Sequence, residues 1–264
     1  MNHNASPTPS LTPLTKAEGK LIRSLSQKKN RDAMGLFLAE GPKVVGELMH
    51  HFPCRLLVTT DVSAGYYIYN MECRRVTHRA DLHRLSLLQS PQDVLAVFEK
   101  PTQTTNLPPL ADIALALDGV QDPGNLGTIL RTADWMGIRT IYASTDTADC
   151  FAPKVVQATM GALGRVKVIY TNLRATLTHL TNEGATIYGT FMQGNNLFES
   201  HVARPAVIVM GNEGNGIRHE IEALCSSRLS IPRFAPANES SESLNVAVAT
   251  AIVLAEIRRQ ASRQ

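Results

Sequence analysis

The chain has 264 residues, of which 44% are hydrophobic and 19% are charged, with 26 Lys and Arg against 23 Asp and Glu. This composition is typical of a globular protein of one or two domains and excludes a chain that is disordered throughout. The longest uncharged apolar run, residues 246–255, is far shorter than the roughly 20 residues of a transmembrane helix, so we expect no membrane span.

The cysteines and the charge distribution indicate which cellular compartment, cofactors and partners to expect. Four widely spaced cysteines form no C-x-x-C pair and have no His at metal-ligand spacing, which predicts a reducing cytoplasm and no metal. Residues 1–100 carry 13 basic and 9 acidic side chains, a net +4, whereas the remainder carries 13 and 14, a net −1. This bias is weak support for nucleic-acid binding, because solvated basic surfaces are common.

The first hundred residues predict a small α/β domain over residues 14–99. Residues 1–13 are rich in Asn, Ser, Thr and Pro and predict a disordered tail without a secretory signal. Thr15 and Glu18 have the spacing of a capping box, and the apolar residues that follow predict a helix that runs to about Lys29 and ends in a basic cluster. We expect a strand at residues 36–39, a helix opened by Pro42 and a strand at residues 56–59.

Two further features of this region affect the domain assignment. Tyr66, Tyr67 and Tyr69 could stack on bases, but alternating aromatic residues are more often part of a strand core, which we favour. Residues 100–110 contain three prolines and several small polar residues, a composition typical of a linker between domains.

Residues 111–264 predict a parallel sheet with helices on both faces. Apolar strand candidates occur at residues 113–117, 140–143, 166–170, 186–190, 206–210 and 229–231, and helical stretches separate most of them. Sheets of this kind bind ligands at the carboxyl ends of their strands, so we expect the chemistry in the turns from strand to helix.

Three such turns differ from ordinary connections. The first, residues 118–127, precedes a helix that Asn125 can cap and that carries Arg131 on its flank, where a guanidinium could meet an anion. The spacing alone favours a plainer alternative, a surface pair of Arg131 with Asp134 and a simple helix cap at Asn125.

The second turn, residues 211–216, has three glycines in six residues, which allows backbone amides to approach a ligand closely. The pattern is neither G-x-G-x-x-G nor a P-loop, which disfavours a dinucleotide-dependent oxidoreductase. Glu213 is either a solvent-facing residue or a carboxylate directed at a ligand. The third turn ends with Ser243 as the predicted N-cap of a helix at residues 246–259, and Asn245 stands just inside that helix, where a buried amide needs a partner such as a ligand.

Together the turns resemble the SpoU, or TrmH-like, branch of the SPOUT RNA methyltransferases, in which motifs of similar content stand in the same order. Three stretches carry the resemblance, residues 122–127 leading to Arg131, residues 211–216 and residues 243–249. Residues 37–43 are similar to the amino-terminal substrate-binding domain of that family, so the resemblance covers nearly everything from residue 15 to residue 259.

The resemblance implies transfer of a methyl group from S-adenosylmethionine to a ribose 2′-hydroxyl of RNA, and the separate amino-terminal domain favours ribosomal RNA over transfer RNA. It also implies a homodimer, an L30e-like substrate domain and a trefoil knot in the carboxyl-terminal domain. Periodicity alone would favour an unknotted doubly wound sheet. The alternative within the same fold is an RNA-binding or ribosome-assembly protein that has lost catalysis.

Site residues are carried over by matching positions of this sequence to the family motifs. The expected catalytic residues are Arg131, Asn125, Glu213, Ser243 and Asn245. The expected cofactor-binding residues are Thr190, Met210, Gly211, Asn212, Gly214, Ile231 and Leu244. The candidates for RNA binding are Lys28, Lys29, Arg31, Arg74 and Arg75.

A guanidinium stays charged at neutral pH, so Arg131 is expected to hold a phosphate and stabilise oxyanion character on the ribose oxygen rather than act as a base. Two features depart from the family pattern. Ala247 stands where many relatives have Ser, and residues 235–242 form a longer connection into the third motif, so Asn238 and Glu239 receive no role.

Overall fold

The computed structural model describes residues 12–60, 74–102, 107–110, 112–235 and 242–262. Three predictions fall on residues outside this part of the chain. They concern the tail up to residue 11, the tyrosines at 66, 67 and 69, and Asn238 and Glu239 of the long connection. The chain forms two compact units. One holds the described residues up to Pro101 together with Phe151–Gly161, and the other holds Thr102–Cys150 and the residues from Ala162 onward.

The first unit is a four-stranded sheet covered by short helices. Its elements are α1 (Lys16–Ser24), α2 (Lys28–Met34), β1 (Leu36–Glu40), α3 (Pro42–Met49), β2 (Cys54–Thr59), β3 (Arg74–Val76), α4 (Arg79–Leu85), β4 (Val94–Glu99) and α6 (Pro153–Thr159). The strand order is β1-β4-β2-β3, with β4 antiparallel to β1 and β2. The predicted strands at 36–39 and 56–59 and the helix opened by Pro42 are confirmed.

The first helix begins as predicted and ends earlier. Thr15 and Glu18 form a complete capping box, in which each side chain accepts a hydrogen bond from the other residue's backbone N–H. The helix then stops at Ser24, so the prediction of one helix to Lys29 was wrong. The side chain of Arg31 accounts for the break, because its Nη1 donates to the carbonyl oxygens of Leu25 and Ser26 at 2.8 and 2.9 Å and satisfies the turn between α1 and α2.

The segment Phe151–Gly161 packs with the first unit, although the sequence places it inside the predicted domain at 111–264. The ring of Phe151 lies 4.9 Å from that of Phe37 and 6.5 Å from that of Phe52, and the ammonium group of Lys100 lies 5.0 Å from its centre. An aromatic pair of this kind stabilises the folded state by about 0.5–1.5 kcal/mol in addition to the contribution from burial of its surface. The first unit is therefore built from two separate stretches of sequence, and the boundaries 14–99 and 111–264 stay a prediction.

The second unit is a six-stranded parallel sheet between layers of helix. Its elements are β5 (Ile113–Asp118), α5 (Pro123–Trp135), β6 (Thr140–Ala143), a 3₁₀ turn (Ala162–Gly164), β7 (Lys167–Tyr170), α7 (Leu173–Asn182), β8 (Thr186–Asn196), β9 (Ala206–Gly211), α8 (His219–Glu222), β10 (Ser227–Ser230) and α9 (Val246–Ala261). The order is β10-β8-β9-β5-β6-β7, and every pair is parallel. All six strand candidates and the parallel α/β class are confirmed.

The strands of this sheet are apolar runs in the sequence because both of their faces are buried in the core. Ala114 and Ala116 face Val207 and Val209 on the side covered by α7 and α8, and the alternate residues of β5 are equally buried toward the other face. Leu107 and Leu110 of the predicted linker also pack against this core, so that part of the linker is held in place. The trefoil knot stays a prediction. Among the described residues, none of the helices is long and apolar enough to cross a membrane.

Candidate active site

Strand pairing brings the first two turns together at one point of the sheet. In the register of β5 with β9, Asp118 is paired with Gly211, so both strands end at the same level. The chain order also reverses here, since β6 and β7 extend the sheet on one side of β5 and β9, β8 and β10 extend it on the other. Such a reversal leaves a crevice at the carboxyl ends of parallel strands, where ligands bind in open α/β sheets.

The first turn leaves the side chain of Asn125 available for contacts outside its own helix. Asp122 is the N-cap of α5 and accepts a hydrogen bond from the Asn125 backbone N–H at 2.7 Å, with Pro123 at the first helical position. The prediction that Asn125 caps this helix was therefore wrong, because the cap stands three residues earlier. The Asn125 Nδ2 instead donates to Glu213 Oε1 at 3.0 Å.

The second turn is closed by its own backbone and tied to the first turn. Asn212 and Gly216 exchange two backbone hydrogen bonds of 2.9 and 3.0 Å, and Asn212 Nδ2 donates to the carbonyl oxygen of Gly119 at 2.6 Å. The Oδ1 of Asn212 accepts from the backbone N–H of Gly214 at 2.9 Å. A Cβ atom at Gly211 would lie 2.3 Å from the carbonyl carbon of Gly216, so only glycine fits at the start of this turn.

The carboxylate of Glu213 is directed at the first turn. Besides the Asn125 amide, it accepts from the backbone N–H groups of Asp122 at 3.4 Å and Gln121 at 3.5 Å. The residue is solvent-exposed, as the first of the two alternatives has it, and a contact of its carboxylate with a ligand stays a prediction. It faces water and also fixes the orientation of a second polar side chain.

The third turn joins this arrangement through Asn245. The structure makes Asn245 the N-cap of α9, with its Oδ1 accepting from the backbone N–H groups of Ala247 and Val248 at 3.0 and 3.2 Å. The predictions that Ser243 is the cap and that Asn245 is buried inside the helix were wrong, since Asn245 is exposed and has extended backbone dihedrals. Its Nδ2 is free of the helix and donates to Asn125 Oδ1 at 2.8 Å.

Three of the five predicted catalytic residues therefore form one hydrogen-bonded chain, from Asn245 to Asn125 to Glu213. Each amide donates in one direction and accepts in the other, so the chain has a single polarity and each member orients the next. Ser243 is exposed and has no side-chain hydrogen bond within the described residues. The structure does not bring it into the chain.

Arg131 also lies outside the hydrogen-bonded chain. It is exposed on α5, and its guanidinium has no partner among the residues that the structure describes. Asp134 pairs instead with Arg139 at 3.0 Å and with Arg165 at 2.9 Å, so the alternative of a surface pair between Arg131 and Asp134 was wrong. A guanidinium on α5 without a partner among the described residues is free to bind an anionic group.

An ion pair between the buried Asp118 and the partly exposed Arg218, which the sequence did not predict, fastens the second turn to the sheet. The Asp118 side chain is fully buried and accepts from the backbone N–H of Arg218 at 2.8 Å and from its Nε at 2.7 Å, and Nη2 of the same guanidinium contacts it as well. The hydrogen bond to Asp118 raises the pKa of Arg218, and a hydrogen bond from Ser144 lowers the pKa of nearby Asp146. The sequence did contain one signal for this pair, because Asp118 is a charged residue at the end of a buried apolar strand and therefore needs a partner.

The predicted cofactor-binding residues occupy neighbouring strands and the turns that follow them. Thr190 on β8 donates from Oγ1 to the carbonyl oxygen of Val209 at 2.9 Å and to the sulfur of Met210 at 3.6 Å. The pairing of β8 with β10 shifts from Gly189 to Asn195, so the residues between them leave the ladder. Ile231 directly follows β10 and is half-buried, and Leu244 is 50% exposed just before α9.

The five candidates for RNA binding differ in availability. Lys28 pairs with Asp32 at 2.5 Å, Arg75 pairs with Glu18 at 2.8 Å, and Lys29 is exposed without a partner within the described residues. Arg31 is only 3% exposed because its guanidinium is used inside the unit, so the prediction that it contacts RNA phosphate was wrong. The side chain of Arg74 lies outside the described part of the chain.

Comparison with known proteins identifies the family. The family model described as the SpoU rRNA Methylase family matches residues 112–255, and the model of an MRM3-like substrate binding domain matches residues 17–96. The chain belongs to the SpoU rRNA methylase family. The first match contains all three turns, and the second covers most of the first unit.

Similar proteins cover nearly the whole chain. A Bacillus subtilis protein named 23S rRNA (guanosine(2553)-2′-O)-methyltransferase RlmP is 30% identical over 247 residues, which is 89% of this chain and 94% of that protein. A solved structure of a TrmH-family protein from Porphyromonas gingivalis is 42% identical with a TM-score of 0.85, covering 94% of this chain and 99% of that one. An AdoMet-bound rRNA methyltransferase from Sinorhizobium meliloti is 31% identical with a TM-score of 0.82, covering 95% and 97%.

Other reactive groups of the described residues contribute little to this site. No cluster of three or more His, Cys, Asp or Glu that could hold a metal ion occurs in the described ranges. Burial raises the pKa of the Cys225 thiol to about 11, which keeps it protonated and a poor nucleophile at neutral pH.

The pair of Asp118 with Arg218 predicts a large effect on stability. We expect Arg218→Ala to lower the free energy of unfolding by about 2–3 kcal/mol, because the buried carboxylate keeps only one backbone donor. Urea unfolding followed by circular dichroism measures this. Arg174→Ala, which removes an exposed guanidinium from α7, should change stability by less than about 0.5 kcal/mol. Equal stability of the two variants would contradict a structural role for the pair.

Proposed function

We propose that this protein transfers a methyl group from S-adenosylmethionine to a ribose 2′-hydroxyl of ribosomal RNA. The observation that carries the proposal is the hydrogen-bonded chain from Asn245 to Asn125 to Glu213, which joins one residue from each of the three motifs at the reversal point of the sheet. Membership of the SpoU rRNA methylase family and the similarity to a 23S rRNA 2′-O-methyltransferase support the same reaction.

The residues around the second and third turns fit the methyl donor. Gly211 starts a turn whose backbone leaves no room for a side chain, so amides and carbonyls are the groups it presents. The half-buried Ile231, directly after β10, and the exposed Leu244, just before α9, offer apolar surface for an adenine ring. We propose that Thr190, Met210, Asn212 and Gly214 complete this cofactor site together with Gly211, Ile231 and Leu244.

The cofactor supplies a methyl group already activated on a sulfonium, so the protein has to place the ribose oxygen in line with it. We assign this positioning to Asn125, Ser243 and Asn245, with Glu213 holding the amide of Asn125 in orientation. In the transfer, the ribose oxygen forms a bond to the methyl carbon, and the sulfur keeps the electron pair of the broken bond. The 2′-hydroxyl proton is lost to a base, and the charge of Arg131 stabilises the oxyanion character that develops.

The outer face of α9 supports a homodimer. Val248, Ala251, Ile252 and Ala255 repeat at helical spacing on the side of α9 that is not fully buried, and none of them is charged. An outward apolar stripe on a helix marks a protein interface. We therefore propose that a second copy of this chain covers this stripe, and that the dimer acts on rRNA in the cytoplasm, without metal or membrane.

Substitution of Arg131 tests the proposed reaction. We expect Arg131→Ala to lower kcat for methyl transfer to deproteinised rRNA by about 100-fold or more, the usual effect of removing a group that stabilises a developing oxyanion. Arg131→Lys should lose part of the activity, because an ammonium keeps the charge without the planar fork. Transfer of radiolabelled methyl from S-adenosylmethionine measures both variants.

Stability provides the control for these variants. Since Arg131 is exposed and unpaired within the described residues, its removal should leave the free energy of unfolding within about 0.5 kcal/mol of the original value. Arg174→Ala should keep full activity. Near-normal turnover of both Arg131 variants would remove this residue from the mechanism.

A charge on the outer face of α9 tests the dimer. We expect Ala255→Arg to convert a dimer into a monomer in sedimentation-velocity experiments, because two-fold symmetry brings two unpaired guanidinium groups into an apolar interface. Ala175→Arg, at an exposed position of α7, is the matched control and should sediment like the unchanged protein. A monomer before any substitution would rule out the proposed interface.

A further inference from the structure

The solvent side of α1 carries three cations in a row. Lys16, Lys20 and Arg23 stand at positions i, i+4 and i+7, which places them within about 60° of one another around the helix and spreads them over about 10 Å along its axis. All three are exposed, and none has a salt-bridge partner among the described residues. The buried side of the helix is packed into the core of the unit through Ile22.

No acidic side chain of α1 neutralises this row, which we call the α1 basic stripe. Glu18, the acidic residue of the helix, receives hydrogen bonds from Thr15 and from the guanidinium of Arg75 at 2.8 Å. Its charge is therefore used on the side of the helix that faces the rest of the unit. The stripe keeps an uncompensated charge of +3 on a rigid element.

In the described part of the same unit, several other basic residues contact carboxylates, unlike the residues of the stripe. Lys28 and Lys100 both contact Asp32, Arg79 pairs with Asp93, and Arg84 pairs with Asp81. Each of those cations contacts a carboxylate of the protein, and Lys28 and Lys100 share one. Exposed cations without such partners are the ones that can replace counterions on a polyanion.

We propose that the α1 basic stripe is the surface through which the first unit binds the phosphate backbone of the RNA substrate. The stripe is about 10 Å long, which is enough to contact roughly two or three successive phosphates of one strand. Contacts of this kind position an RNA without reading its bases, so sequence selection belongs to the rest of the protein. The inference rests on the proposed function, because it concerns the substrate of that reaction.

The test removes the stripe and compares it with an equal loss of charge elsewhere. The variant Lys16→Ala, Lys20→Ala and Arg23→Ala keeps a strong helix-forming residue at each exposed position, so α1 should remain folded. The control variant Arg55→Ala, Lys154→Ala and Arg174→Ala removes three exposed cations that are spread over the chain. Circular dichroism confirms that both variants are folded.

Affinity for deproteinised bacterial large-subunit rRNA is measured by filter binding at several KCl concentrations. Roughly 50 to 300 mM is suitable, because phosphate contacts make the affinity depend strongly on salt in this range. We expect the stripe variant to bind about tenfold more weakly or worse at the low end, and the slope of log affinity against log salt to fall by about 2–3. The control variant should change affinity less than about threefold. Equal effects of the two variants, or unchanged binding by the stripe variant, would overturn the inference.

A methyl-transfer assay on the same RNA separates this inference from the proposed function. The stripe variant should show a raised KM for RNA with kcat retained at saturating RNA, because the stripe contacts no reacting atom. If the unchanged protein transfers no methyl group at all, the proposed function fails, while the binding comparison still decides whether the stripe holds RNA. If transfer is normal and KM for RNA is the same in both variants, the stripe assignment is wrong and the proposed function stands.

Discussion

The buried carboxylate of Asp118 is the constraint from which the rest of the site follows. A charge placed without exposure at the end of β5 requires a partner, and Arg218 supplies it with a guanidinium and a backbone N–H from the far side of the second turn. This ion pair holds the glycine turn against the end of β5, and Asn212 adds a hydrogen bond to Gly119. Glu213 is thereby brought over the first turn, where it meets Asn125.

Several residues of the site serve local folding and the site at once. Asn245 caps α9 with its oxygen and contacts Asn125 with its nitrogen, and Asn212 closes its own turn with one side-chain atom and reaches Gly119 with the other. A side-chain amide can do this because it carries a donor and an acceptor on one planar group. Replacement by Asp would keep the cap but remove the donor, so the choice of Asn reflects both demands.

Structural features that depend on residues close together in the sequence, such as strands and helix caps, were mostly predicted correctly. Apolar runs predicted all six strands of the parallel sheet, because strands buried on both faces have few polar residues, and the capping box at Thr15 was predicted from a four-residue pattern. Helix ends were less predictable, since Asn125 and Asn245 both stand near a helix start where several polar residues compete for the cap.

Features that depend on residues far apart in sequence could not be predicted. Asp118 and Arg218 are separated by 100 positions, and the aromatic contacts of Phe151 join a segment of the second half to the first unit. Arg31 illustrates the same limit. Its place in a basic cluster predicted an RNA contact, whereas its guanidinium donates to carbonyl groups of the turn between α1 and α2. Which cations are free for RNA is a property of the folded unit and not of the local sequence.

A crystal structure of the protein with S-adenosylmethionine tests the central claim most directly, namely that the three turns form one pocket for the methyl donor. We predict that the donor is bound against Gly211, Ile231 and Leu244 and that the hydrogen bonds among Asn245, Asn125 and Glu213 are still in place. A donor bound at any other part of the chain, or a crystal that holds none at saturating concentration, would contradict it.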